Sequence, residues 1–402
     1  MSKKTATIII IALIMVLAAV FAFLYFRDTG AKESPVNEDS FPFFPGGGEG
    51  SGGEQGGDTI SDTSSGETKA VLEQITTTPV AGGIIFTKNS EAYIRYIERA
   101  LGNVYEKKIG ENSTVRVTNT TIPAVYEGLW QKDGNWVLAR FTDETGSFAR
   151  TFYAEIEEDV DVDTPQDLSG TFLTNNIESV SISPDTKLIF YLTSNSGGSL
   201  GIVSNPDGSG KREVWRSPIR FWNSYWSSPR TVTLTTKASA EAVGETVLVN
   251  TSNGAVRTAI LGVRGLTSYQ NYDGSYIAFS ESSLSSVKFR VLDTTTDNVK
   301  TFSLSTLPEK CVWSRNEPNI LYCAVPANLP AAKYPDVWYQ GRILFSDEIW
   351  KLDAENGFIS FVAGLENLSG ESIDAVNLSL SPDEDMLLFT NKSDYTLWLL
   401  RL

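Results

Sequence analysis

The sequence predicts an all-β protein, a seven-bladed β-propeller with six or eight blades as alternatives, behind one N-terminal transmembrane helix and a disordered linker. Three observations carry this. A turn followed by an apolar strand recurs seven times after residue 70, at Gly82, Asp133, Asp185, Arg230, Asp273, Asn316 and Asp383. The spacings are 51, 52, 45, 43, 43 and 67 residues, and a period of roughly 40–50 residues with several strands per unit marks a propeller. The third is an uncharged apolar run from Ile8 to Phe26.

That run has nineteen residues and follows Lys3 and Lys4. At about 1.5 Å per residue it spans a hydrocarbon core of roughly 30 Å. It is longer than the apolar region of a cleaved signal peptide, and it ends on Phe21, Phe23, Leu24, Tyr25 and Phe26 rather than on small residues. Residues 1–27 are therefore read as a cytoplasmic stub and anchor. Lys3 and Lys4 against Arg27 favour the N-terminus inside, which makes this a single-pass membrane protein with its propeller on the extracytoplasmic side.

Residues 28–66 form the linker. Gly46 to Gly57 hold eight glycines in twelve positions, and residues 27–70 carry nine acidic and three basic side chains, net −6. Such a segment has too little apolar surface to offset the entropy of ordering. Residues 67–402 then form the propeller. Its last blade has only two strands after Asp383, so a segment near residues 68–75 is expected to supply the missing outer strand and close the ring.

The repeat itself resembles a known family. SISPDTKLIFYLTSNSGGSLGIVSNPDGSGKREVW, residues 181–215, is similar to the repeat of TolB-type propellers, a WD-like class with a Pro-Asp turn. LSLSPDEDMLLFT, residues 378–390, matches it next best, and the segments around Asp133 and Asp273 match more loosely. The resemblance implies the propeller fold and an envelope setting, since known members act in bacterial envelope assemblies. It implies almost nothing about activity, because one scaffold hosts many functions.

Composition excludes several chemistries. The 402 residues contain no histidine and two cysteines, so no Ser-His-Asp triad, Cys-His pair or four-thiolate metal site can form. The net charge of −16 argues against nucleic acid as a partner. No cofactor is indicated.

Cys311 and Cys323 flank one hairpin, and pairing centred on Glu317 sets them opposite each other within disulfide reach. Two reduced, buried thiols are the alternative. Residues 326–346 are an insertion between two strands of the sixth blade. It supplies Tyr334, Asp336, Trp338, Tyr339 and Arg342 as a candidate binding surface, because rigid aromatic rings are favoured interface anchors. The competing reading folds the loop back so that its rings cover the blade edge. In RFWNSYWSS, residues 220–228, alternation puts Trp222 and Trp226 on one face, as inter-blade core. Asp159, Asp161 and Asp163 alternate as a weak calcium candidate, with a solvated acidic connection as the plainer reading.

The functional expectation is a membrane-tethered, non-enzymatic binding or scaffolding module, anchored in the cytoplasmic membrane through residues 8–26, for an envelope protein, peptide or glycan. The alternative is a glycan hydrolase using paired carboxylates.

Overall fold

The computed structural model describes residues 71–142, 146, 149–157 and 164–402. The expected span at 8–26 and linker at 28–66 lie outside the described residues. Among the described residues, no helix is long and apolar enough to cross a membrane.

Seven four-stranded antiparallel sheets follow one another in sequence. Blades 1 to 6 occupy residues 80–116, 125–172, 179–217, 222–264, 268–301 and 311–364, each with its strands in chain order from the inside out. Blade 7 takes its first three strands from 375–401 and its outer strand from Leu72–Gln74. Leu72 faces Leu400 and Gln74 faces Trp398, so the start of the described chain is stitched to its end.

Strands buried on both faces hold the ring together. In Ile189–Asn195, Phe190 and Leu192 pack toward blade 4, while Ile189 and Tyr191 pack toward blade 2. Side chains alternate across a strand, so a central strand must be apolar at successive positions to serve both neighbours. Each of the seven blade–blade interfaces is such an apolar cluster. Trp222 and Trp226 belong to the cluster between blades 3 and 4, with Trp222 meeting Trp215 edge-on at 5.1 Å. Outer strands are open by contrast, and Ser169–Phe172 is exposed throughout.

The repeated Asp marks the turn between the first two strands of a blade. Asp185 accepts from the Ser183 hydroxyl at 2.7 Å and from the Lys187 amide at 3.2 Å. The residue after it is left-handed in every clear copy: Gly134, Thr186, Gly274 and Glu384 have φ of +75°, +57°, +85° and +58°. Blade 1 departs from the expected register. Gly82 lies in the inner strand Val80–Lys88, one strand earlier than its counterparts. The true turn is Asn89-Ser90, both at positive φ, and it lacks the Asp signature. From Asn89 to Asp133 the interval is 133 − 89 = 44 residues, in line with the later blades.

Candidate site at the inner rim

Inner strands begin on one face of the ring, which is also where the second strand of each blade ends. The insertion of blade 6 leaves from that face, between the strands Ile320–Pro326 and Asp347–Asp353. It forms a strap that reaches three other blades. Asp336 accepts from the Ala240 amide of blade 4 at 2.7 Å, and Lys333 pairs with Glu241 beside it. Ser282 of blade 5 donates to the Tyr334 carbonyl at 2.6 Å. Lys392 of blade 7 donates to the Trp338 carbonyl at 3.0 Å.

The five strap residues expected to form a binding surface divide. Tyr334 is fully buried and donates to the Pro330 carbonyl at 2.7 Å. Trp338 is also buried, with its ring stacked on Phe345 at 6.1 Å and its Nε1 donating to Asp374 at 2.8 Å. These two rings face the core, which corrects the expectation that they stand open to a ligand. The physical reason is that a buried indole needs a partner for its N–H, and Asp374 provides one. Asp336 is half-buried and spent on blade 4, whereas Tyr339 and Arg342 are exposed.

Beneath the strap lies a buried ionic anchor. The Lys310 ammonium, fully buried, donates to Asp347 at 2.8 Å, to Asp374, and to the Ala375 carbonyl at 3.0 Å. It also stands 5.2 Å from the ring centres of both Trp338 and Phe345. Asp347 accepts the Ala375 amide at 2.7 Å, but its Oδ1 has no hydrogen-bond partner. Burial raises the Asp347 carboxyl to about 6, with Lys310 opposing the rise and Asp374 adding to it. The trio joins blade 6, the strap and blade 7, so it fixes the strap's base.

Glu309, the residue before Lys310, faces the other way. The Tyr339 hydroxyl donates to Glu309 Oε1 at 2.5 Å, holding the strap's exposed end against the start of the inner strand of blade 6. On the inner strands of blades 4 and 5, the rings of Tyr225 and Tyr269 meet at 4.7 Å. Below them, the Arg315 guanidinium lies 4.7 Å from the centre of the Tyr272 ring. Burial pushes up the Glu309 carboxyl and the phenols of Tyr225, Tyr269 and Tyr339, the last raised further by the Glu309 charge. Yet Tyr225 and Tyr339 keep 38% and 42% of their surface accessible. These side chains offer accessible tyrosine faces and one carboxylate to a binding partner.

Glu309 carries no sequence signal; it sits between Pro308 and Lys310 with no motif around it. Tyr225 had one, since alternation sets it opposite Trp222 and Trp226. Cys311 and Cys323 face each other in register and form a disulfide across 4.0 Å between Cα atoms. They lie in the cluster between blades 5 and 6. Asp159, Asp161 and Asp163 lie outside the described residues. Among the described residues, no group of three or more carboxylate or thiol side chains is placed to share a metal ion.

Comparison with known proteins places the fold, a seven-bladed propeller. No family model matches the sequence, and no curated protein matches it. Among solved structures, the chain is similar to an oligogalacturonate lyase from Vibrio parahaemolyticus, with a TM-score of 0.53 and 11% identity, covering 83% of this chain and 94% of that one. A manganese complex of an oligogalacturonate lyase gives 0.52 at 11% identity, covering 83% and 90%. TolB from Acinetobacter baumannii gives 0.43 at 11% identity, covering 83% and 80%. At these identities the shared property is the fold.

Proposed function

We propose that the chain is a membrane-tethered extracytoplasmic propeller that binds or scaffolds an envelope protein, peptide or glycan at the inner rim on its strapped face. One observation carries the reading: the inner strands and the strap leave tyrosine rings accessible, Tyr225 packed against Tyr269 and Tyr339 held by Glu309. Tyrosine is suited to such a place because it offers rigid apolar area with a polar end. The TolB-type repeat agrees with an envelope setting. The apolar run at 8–26 agrees with a tether in the cytoplasmic membrane.

A glycan hydrolase is the second reading, and Glu309 is what favours it. A carboxyl raised by burial suits a general acid. The chemistry also needs a second carboxylate across the scissile bond. The candidates beside the strap are engaged elsewhere: Asp347 and Asp374 by Lys310, and Asp336 by the Ala240 amide. We therefore favour binding over hydrolysis.

Affinity capture from envelope extract tests the proposal, with the full-length chain in detergent as bait and Tyr225→Ala as control. The expected result is a retained protein or glycan that the variant loses. Equal retention by both would contradict the rim as the working surface.

A further inference from the structure

Among the described residues, the outer strand of each blade has no neighbour on its far side. Such an edge is a template for another strand, and proteins blunt it with charge, brevity or a covering segment. Five of the seven outer strands carry a Lys, Arg or Glu. A sixth, Ser169–Phe172, is four residues long and includes Gly170. The outer strand of blade 6, Ile359–Gly364, differs: it has no charge, no proline and no glycine before its end. The whole run from Gly357 to Gly364 is uncharged. Within it, Phe358 and Phe361 keep 74% and 53% of their surface accessible, and Ile359 is exposed beside them. A short, apolar, uncharged segment on an open edge is the pattern that pairs with a further strand.

The register fixes which backbone groups are free. The Asp353 amide donates to the Phe358 carbonyl at 2.9 Å, and Ile359 and Ser360 face Leu352 and Lys351. Hydrogen-bonded pairs alternate along an antiparallel ladder. Ser360 therefore turns its amide and carbonyl toward the blade, while Ile359 and Phe361 turn theirs outward. A two-fold axis at Ser360 would set Ile359 opposite Phe361 of a second copy, and Phe361 opposite its Ile359. Every outward group then meets another, so the segment is its own complement. Charge points to the same occupant. At a net −16, two copies repel wherever acidic surfaces meet, and this edge brings no charge to the contact. We infer that the protein pairs with a second copy of itself through this edge, antiparallel about Ser360, joining two four-stranded blades into one sheet. Contacts of Ile359 with Phe361 across the pair add to the backbone bonds. The pairing lies on the circumference of the ring and goes beyond the inner-rim reading without resting on it.

The test introduces Ser360→Cys into the full-length chain in detergent and reads disulfide formation on a non-reducing gel under mild oxidation. On the two-fold axis, position 360 of each copy forms a non-hydrogen-bonded pair, with Cα atoms about 4.5 Å apart, within disulfide range. Thr171→Cys is the control, exposed on the outer strand of blade 2 and carried in the same micelle. The inference predicts a covalent dimer from position 360 and none from 171. Adding Phe361→Lys should abolish that dimer, because it places a charge on the edge of each copy. Sedimentation should likewise show a dimer for the unsubstituted chain and a monomer for Phe361→Lys alone. Thermal melts establish that the variants are folded. Three results would overturn the inference: no more crosslink from 360 than from 171, a crosslink that persists in folded Phe361→Lys, or a chain that sediments as a monomer without substitution. In the last case the edge takes some other strand or none.

Discussion

Tyr339 donates its hydroxyl to Glu309 at 2.5 Å, a contact between residues thirty apart in sequence. It ties the exposed end of the strap to the start of the inner strand of blade 6. Tyr339→Phe keeps the ring and removes this bond. The expected cost is about 1 kcal/mol, because the pair is partly solvated. Denaturant unfolding against wild type checks it.

Lys310 is the cation of a fully buried trio. Lys310→Met leaves two carboxylates facing each other without a counter-charge. Breaking such a set by removing one member costs roughly 3–5 kcal/mol. Adding Asp347→Asn to Lys310→Met should recover part of that loss. Equilibrium unfolding of the single and double variants measures both.

The Asp347 carboxyl, raised from 3.8 to about 6 in the folded state, gives stability an unusual pH dependence. Between those values the folded state holds a proton that the unfolded chain has released. Its contribution to stability is therefore fully present below about 3.8 and is lost as pH rises through about 6. Asp347→Asn should flatten the stability profile between those pH values, as read from urea midpoints across that window.

Glu384 occupies a left-handed position, φ +58°, that glycine fills at Gly134 and Gly274. Its carboxylate reaches blade 6, accepting from the Ser314 hydroxyl at 2.5 Å, the Arg315 amide at 2.6 Å and the Asn316 amide at 3.2 Å. Glu384→Ala loses this clasp and keeps the strained backbone, for a cost of about 1–3 kcal/mol. Glu384→Gly loses the clasp but relieves about 1 kcal/mol of strain, so it should melt higher than the alanine variant.

The disulfide closes a loop across a sequence separation of 12. Cys311→Ser with Cys323→Ser should lower stability by about 3 kcal/mol, from the loop entropy restored to the unfolded chain. Unfolding of the double variant beside the oxidised protein measures it.

The sequence made the repeat legible because the turn chemistry is local. Asp185 and Asp273 hold their own hairpins through contacts within a few residues. Blade 1 was misplaced by one strand because Asn89-Ser90 turns through two positive φ values without an Asp, leaving the nearby glycine pair as the stronger signal. The strap was legible as an insertion but not in its orientation. Whether Trp338 points in or out depends on Asp374, thirty-six residues away, and on Lys310 beneath its ring. Glu309 left no signal for the same reason, since its partner Tyr339 lies on the strap, thirty residues away. Long-range polar partners leave no periodicity to read.

The central claim is that the strapped face, at its inner rim, is the working surface. Site-specific photo-crosslinking in intact envelope tests it most directly, with a benzoylphenylalanine placed at Tyr339 in one strain and at Thr296 in another. Thr296 is exposed in a turn at the opposite face. The account predicts a discrete crosslinked species from position 339 and none from 296. Crosslinks from 296 with none from 339 would contradict it.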